Sequence, residues 1–76
     1  MLLEVSLLNP QRIIFQGKAK SVILPGEQGV FEILAFHKPI LSRLISGNIL
    51  IDEKVFRIRR GIVKGYQNQV RIIVEE

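Results

Sequence analysis

"LEVSLLNPQRIIFQG", residues 3–17, decides the fold. Leu3, Val5 and Leu7 alternate with Glu4 and Ser6. Beyond Asn9-Pro10, Ile13 and Phe15 alternate with Arg12 and Gln16, and Gly17 ends the run. Successive side chains of a strand point to opposite faces. This period of two therefore describes two strands, each with one apolar face, joined by an Asn-Pro turn.

The same pattern continues to the end of the chain. Val22 and Leu24 alternate with Ser21 before Pro25-Gly26 breaks the run, and Ile49 and Ile51 precede a turn at Asp52-Glu53-Lys54. Phe56 and Ile58 face away from Arg57 and Arg59, and Val70, Ile72 and Val74 oppose Arg71. Lys38 to Ile45 is ambiguous, since Ile40, Leu41, Leu44 and Ile45 fit a helical face as well as alternation. Pro39 disfavours a helix entering from His37, so the segment reads as strand. Short period-two runs with regularly spaced turns predict an all-β domain over residues 1–76, a small β-sandwich or flattened barrel of about ten short strands.

A chain of 76 residues is one domain. A folded monomer of this size exposes roughly 4,700 Å² and buries only about 60% of its unfolded surface. Yet 47% of the residues are hydrophobic and the mean hydropathy is +0.27. Part of that excess is expected at an interface. Cysteine is absent, which excludes disulfides and thiolate metal sites. No apolar run approaches the ~20 residues of a membrane-spanning helix. The opening MLLEVSLLNP carries an acid and no A-x-A-like cleavage site, so no targeting peptide is expected. Eleven basic against seven acidic residues give +4, which permits an anionic partner without requiring one.

Motifs that carry catalysis are missing. There is no G-x-x-x-x-G-K-[ST], no G-x-S-x-G, and no second histidine beside His37. The expectation is no catalytic residue, no cofactor and no metal. His37 reads as a turn histidine bonded to its own loop, or as a contact to a partner. Pro25 to Gly29 has two glycines, as a phosphate nest would, but no lysine or serine follows at P-loop spacing; a hairpin is the stronger reading. Lys54, Arg57, Arg59, Arg60 and Lys64 form a basic run. It suits a small barrel binding single-stranded nucleic acid, but tryptophan is absent and Tyr66 is the sole tyrosine.

"VSLLNPQRIIFQGKAKSVILPGEQGVFEILAFHKPIL", residues 5–41, resembles the amino-terminal β-sandwich of the ε subunit of F-type ATP synthases. Phe15-Gln16-Gly17, Val22 to Gly29, Phe31, Leu34 and His37 to Leu41 stand in family order. Ser46 to Ile49, Asp52-Glu53-Lys54, Gly61 to Val63 and Asn68-Gln69-Val70 continue it. Four positions depart from the family. Glu32, Phe36 and Arg60 stand where its pattern has glycine, and Val30 replaces an acid. Phe36 and Arg60 reach positive φ less cheaply than glycine. Either the backbone differs there, or those glycines serve close approach. Family members carry a further carboxy-terminal helical hairpin; inhibition and nucleotide sensing are expected to belong to it and not to residues 1–76.

The resemblance implies a non-catalytic rotor subunit of the central stalk. It would bind the γ subunit with one face and edge and rest a loop corner on the membrane c ring, coupling ion flow to ATP synthesis. The complex would sit on the cytoplasmic face of a bacterial inner membrane. The loop Glu27, Gln28, Gly29, Val30 and the turn Phe36, His37, Lys38 are the candidate interface, converging on one end of the domain if the segment between them runs out and back. The alternative, from a different class, is the nucleic-acid-binding barrel.

Overall fold

The computed structural model describes every residue from Met1 to Glu76. It contains nine strands and no helix: β1 Leu3–Leu8, β2 Ile13–Ala19, β3 Ser21–Gly26, β4 Gly29–Leu34, β5 Ile40–Leu44, β6 Gly47–Ile51, β7 Lys54–Ile58, β8 Arg60–Tyr66 and β9 Gln69–Glu75. Hydrogen bonds link them in the order β2-β1-β9-β8-β5-β3-β6-β7, with β4 on the other side of β3. The sheet curls so that β2, β1, β9, β8 and β5 form one half and β4, β3, β6 and β7 the other. Three pairs of strands are one chain bent at a single point: β2 into β3 at Lys20, β5 into β6 at Ile45-Ser46, and β7 into β8 at Arg59. Each bend carries the chain from one half to the other.

The alternation holds where it was read, except in β2. There the register with β1 shifts at Leu7/Leu8, so Ile13 is exposed on the outside while Ile14 and Phe15 pack against the core. In β9 the buried residues are Val70, Ile72 and Val74, and in β1 they are Leu3, Val5 and Leu7. These two strands pair in parallel, Leu7 beside Ile72, and bring the two ends of the chain together in the middle of one half. Fifteen buried residues from both halves form one core, and all are apolar. The seam between β2 and β7, the first and last strands of the ladder, is closed by side chains. Phe15 and Phe56 meet at 5.9 Å between ring centroids, and the Lys54 ammonium lies 5.1 Å from the Phe15 ring centre.

The structure differs from the sequence reading in two further respects. Nine strands stand in place of about ten. The stretch from Leu34 to Ile40 adds none, because Phe36 takes a left-handed φ of 64° and Pro39 has no amide to donate. Nor does Gly17 end a strand, since β2 runs on to Ala19; and Pro25-Gly26 do not interrupt β3 but are its last two residues, paired with Val30 and Gly29 in the β3–β4 hairpin. Gly26 is there for space. A Cβ at that position would fall 2.6 Å from Phe31 Cε1 and 2.7 Å from the Gly29 carbonyl oxygen. Pro25 is buried, and its carbonyl accepts the Ile45 N–H at 2.9 Å, where β5 bends into β6.

Turn chemistry fixes the register elsewhere. Asn9 Oδ1 accepts the Gln11 and Arg12 N–H groups, both at 2.8 Å, in an Asx turn between β1 and β2. Asp52, at φ 52°, accepts the Lys20 and Ser21 N–H groups at 2.9 and 3.1 Å, tying the first bend to the β6–β7 turn. Gln67 and Asn68, at φ 51° and 61°, form the two-residue turn between β8 and β9.

Candidate interface loops and outer faces

The seven candidate residues do not converge. Gly29 and Val30 open β4, with Glu27 and Gln28 in the turn before it, while Phe36, His37 and Lys38 follow the strand. A single strand of six residues separates the two loops, so they occupy its opposite ends. The hydrogen bonds agree. The Glu27 N–H donates to the Arg43 carbonyl at 3.2 Å, and Arg43 pairs with Ile62 near the start of β8. The Phe36 N–H donates to Asn68 Oδ1 at 2.6 Å, in the turn after β8. One loop therefore sits at each end of the domain, and the expectation of a single corner is corrected: β4 runs out without returning.

The β3–β4 tip is a polar hairpin. Glu27, Gln28, Gly29 and Val30 are all exposed, with Gly29 at φ 128°, and Val30 is 74% exposed. The opposite end is apolar and strained. Phe36 is 77% exposed although its backbone is left-handed, a conformation that costs an L-residue about 1–2 kcal/mol. The Asn68 side chain holds it there. Arg60, by contrast, is an extended β8 residue paired with Glu75. Of the two non-glycine departures named for backbone reasons, one keeps the left-handed conformation and the other has no need of it.

His37 is half-buried, with its ring against Gly65: a Cβ there would lie 2.9 Å from His37 Cε1. Its Nδ1 lies 2.8 Å from the Lys38 carbonyl oxygen. A carbonyl only accepts, so Nδ1 carries the proton. Nε2 is buried without a partner. The turn histidine bonded to its own loop is the arrangement found. Gly65→Ala is expected to cost about 1–3 kcal/mol by overpacking this contact. His37→Ala alone should cost under about 1 kcal/mol, and in that background the Gly65→Ala penalty should shrink. Denaturant titration of the double-mutant cycle checks this, and full additivity would refute the contact.

The basic run is divided by the bend at Arg59. Lys54 and Arg57 lie on β7, while Arg60 and Lys64 lie on β8. Arg60 is bound to Glu75 by hydrogen bonds at 2.7 and 3.3 Å, and Arg12 to Glu76 at 2.9 Å. The hydrogen bond from Arg60 lowers the Glu75 carboxyl below its ordinary range, and the Glu75 partner raises Arg60. Both groups are in solvent, where such pairs stabilise little.

Two features of these loops and faces were not read from the sequence. Asn68 supports the Phe36 turn, and the signal was available in an asparagine that tolerates left-handed backbone. An apolar row also crosses the outer face of the first half, and Ile73, left over by the β9 alternation, was its cue.

Residues 2–76 match the family model of the ATP synthase delta/epsilon chain β-sandwich domain. The chain belongs to this family. The ATP synthase epsilon chain of Chlorobaculum tepidum is 32% identical over 77 residues, covering 95% of this chain and 88% of that one. The epsilon chain of Leptospira interrogans is also 32% identical, but this chain spans only 61% of it. That of Nitratiruptor is 37% identical over 78 residues, with 60% of its length spanned. Two solved structures share the fold. A chain of the Tetrahymena thermophila mitochondrial ATP synthase central stalk and c-ring superposes with a TM-score of 0.81 at 16% identity, over 97% of this chain and 63% of that one. A chain of the Euglena gracilis mitochondrial ATP synthase, in an OSCP/F1/c-ring structure, gives 0.84 at 18% identity, over 99% and 51%.

Proposed function

We propose that this domain is a rotor-stalk subunit of an F-type ATP synthase, binding the γ subunit and the loops of the c ring at the membrane. It makes and breaks no bond. Its work is to transmit torque between ring and stalk, so stiffness and interface affinity matter. The observation that carries this reading is the likeness to the Chlorobaculum tepidum epsilon chain, of which the sandwich alone accounts for 88%. A core with no buried polar group, inside a sheet bent three times, is a stiff element suited to the task.

The two ends take different partners. The polar tip Glu27, Gln28, Gly29, Val30 stands on the polar c-ring loops, and the turn Phe36, His37, Lys38 faces away from the ring toward the stalk. Cysteine at Gln28 is expected to crosslink to c-subunit loops in assembled membranes, and cysteine at Lys38 to γ. Val30→Asp should weaken coupling of rotation to ion flow while leaving ATP hydrolysis by the detached catalytic head intact. Crosslinks of Gln28 to γ alone, or to nothing, would overturn this orientation. The peripheral location on the cytoplasmic face of a bacterial membrane follows from the same reading.

A further inference from the structure

The outer face of the first half carries an ordered apolar row. Register pairs Ile13 with Leu8, Leu8 with Ile73, Ile73 with Ile62, and Ile62 with Arg43. Paired residues share a face, and the shift in register at Leu7/Leu8 leaves Ile13 on the outside with Leu8, so four apolar side chains cross β2, β1, β9 and β8 and end at a cation. None is in the core: Ile13 is 61%, Ile62 50% and Ile73 46% exposed. Scattered exposed apolar residues mean little, but a contiguous row across four strands marks a covered surface.

The charges beside the row differ on its two sides. Toward the strand ends, Arg60 with Glu75 and Arg12 with Glu76 are ion pairs that neutralise one another. Toward the middle of the sheet, Arg71 pairs in register with Lys64, and neither has a salt-bridge partner; Arg43 is free as well. The row is therefore neutral on one border and basic on the other.

We infer that this face seats an amphipathic helix of a partner chain, with acidic residues along one flank of its apolar stripe. Three steps between strands span about 14 Å, the length of roughly ten helical residues, which present apolar side chains at i, i+3 or i+4, and i+7. Lys64 and Arg71 lie two residues along their strands, roughly 7 Å from the row, within the radius at which a helix carries its flanking side chains, and Arg43 closes the row's end. A second copy of this chain fits badly, since it would bring the same three cations against themselves. Under the stalk reading, on which the choice of partner rests, the helix belongs to γ.

Two probes test the inference. The first is the γ subunit from the same genome, co-expressed with the domain. Ile62→Asp and Arg71→Glu are expected to weaken co-purification at least about tenfold, while Val55→Asp, on the outer face of the other half, leaves it unchanged. The melting temperature of each variant alone separates lost binding from lost folding. If Ile62→Asp fails to fold, Ile62→Cys replaces it, and its crosslinks should map to one γ helix, next to acidic residues. The second probe is a synthetic helical peptide with leucine at i, i+4 and i+7 and glutamate on one flank, set against a twin with lysine on that flank. The glutamate peptide should bind at least about tenfold tighter. If γ fails to bind but the peptides discriminate, the stalk reading fails and the helix seat survives. Equal binding of both peptides would overturn the inference. So would γ binding indifferent to Ile62 and Arg71, self-association through this face, or binding of single-stranded nucleic acid that depends on Arg43, Lys64 and Arg71.

Discussion

Ile72→Ala is expected to remove a large share of the fold's stability, while Ile73→Ala beside it leaves stability nearly unchanged. Ile72 is fully buried in β9, with Leu7 of β1 and Val63 of β8 as its neighbours in register. Both neighbours are also fully buried strand residues, so the cavity left by truncation has little freedom to collapse. Such a truncation costs about 2–5 kcal/mol. A chain of this length has a total stability of about 4–11 kcal/mol, so one substitution removes a large share of it. Ile73 points the other way and is 46% exposed. Its truncation should cost under about 1 kcal/mol and show its effect in partner binding. Urea titrations of the two variants, read by far-UV circular dichroism, check the pair. Equal losses would mean that β9 does not alternate as described, and the register of the central parallel pair would be wrong with it.

That contrast also explains what was legible in the sequence. The period of two in Leu3, Val5, Leu7 and in Val70, Ile72, Val74 is imposed by the core itself, so each strand reports its own buried face locally. The pairing of β1 with β9 in parallel has no local signal, because the two strands lie at opposite ends of the chain. The bends at Lys20, Ile45-Ser46 and Arg59 hide for a similar reason: a bend breaks no alternation, and Arg57 and Arg59 look like one face although the chain turns between β7 and β8. Gly26 misled the reading because glycine serves turns and close packing alike, and only the distance to Phe31 tells them apart. The candidate interface residues were named as a set through family resemblance. Their arrangement was not, since placing Glu27 and His37 on one corner required β4 to double back.

Phe36→Gly is expected to make the isolated domain more stable and the assembly weaker. The backbone at Phe36 sits at φ 64°, which glycine adopts without steric cost. Relief of that strain outweighs the added freedom of glycine in the unfolded chain, so a gain of a few tenths to about 1 kcal/mol is expected. The lost ring offsets little of this, because it is 77% exposed and buries little in the free domain. An exposed aromatic kept in a costly conformation, with Asn68 Oδ1 accepting its amide N–H at 2.6 Å, has the properties of a binding anchor presented at a fixed angle. Truncation of such anchors costs about 2 kcal/mol or more of binding, a loss of roughly thirtyfold in affinity. Asn68→Ala should act in the opposite sense on the fold, removing the cap and a residue that itself sits at φ 61°, and destabilise the turn. Thermal melts of the domain and titrations against γ, measured on the same variants, give both readouts. A Phe36→Gly protein that is less stable would show that the ring braces the fold. One that is more stable and binds γ as tightly as the parent would show that the strained turn faces no partner there.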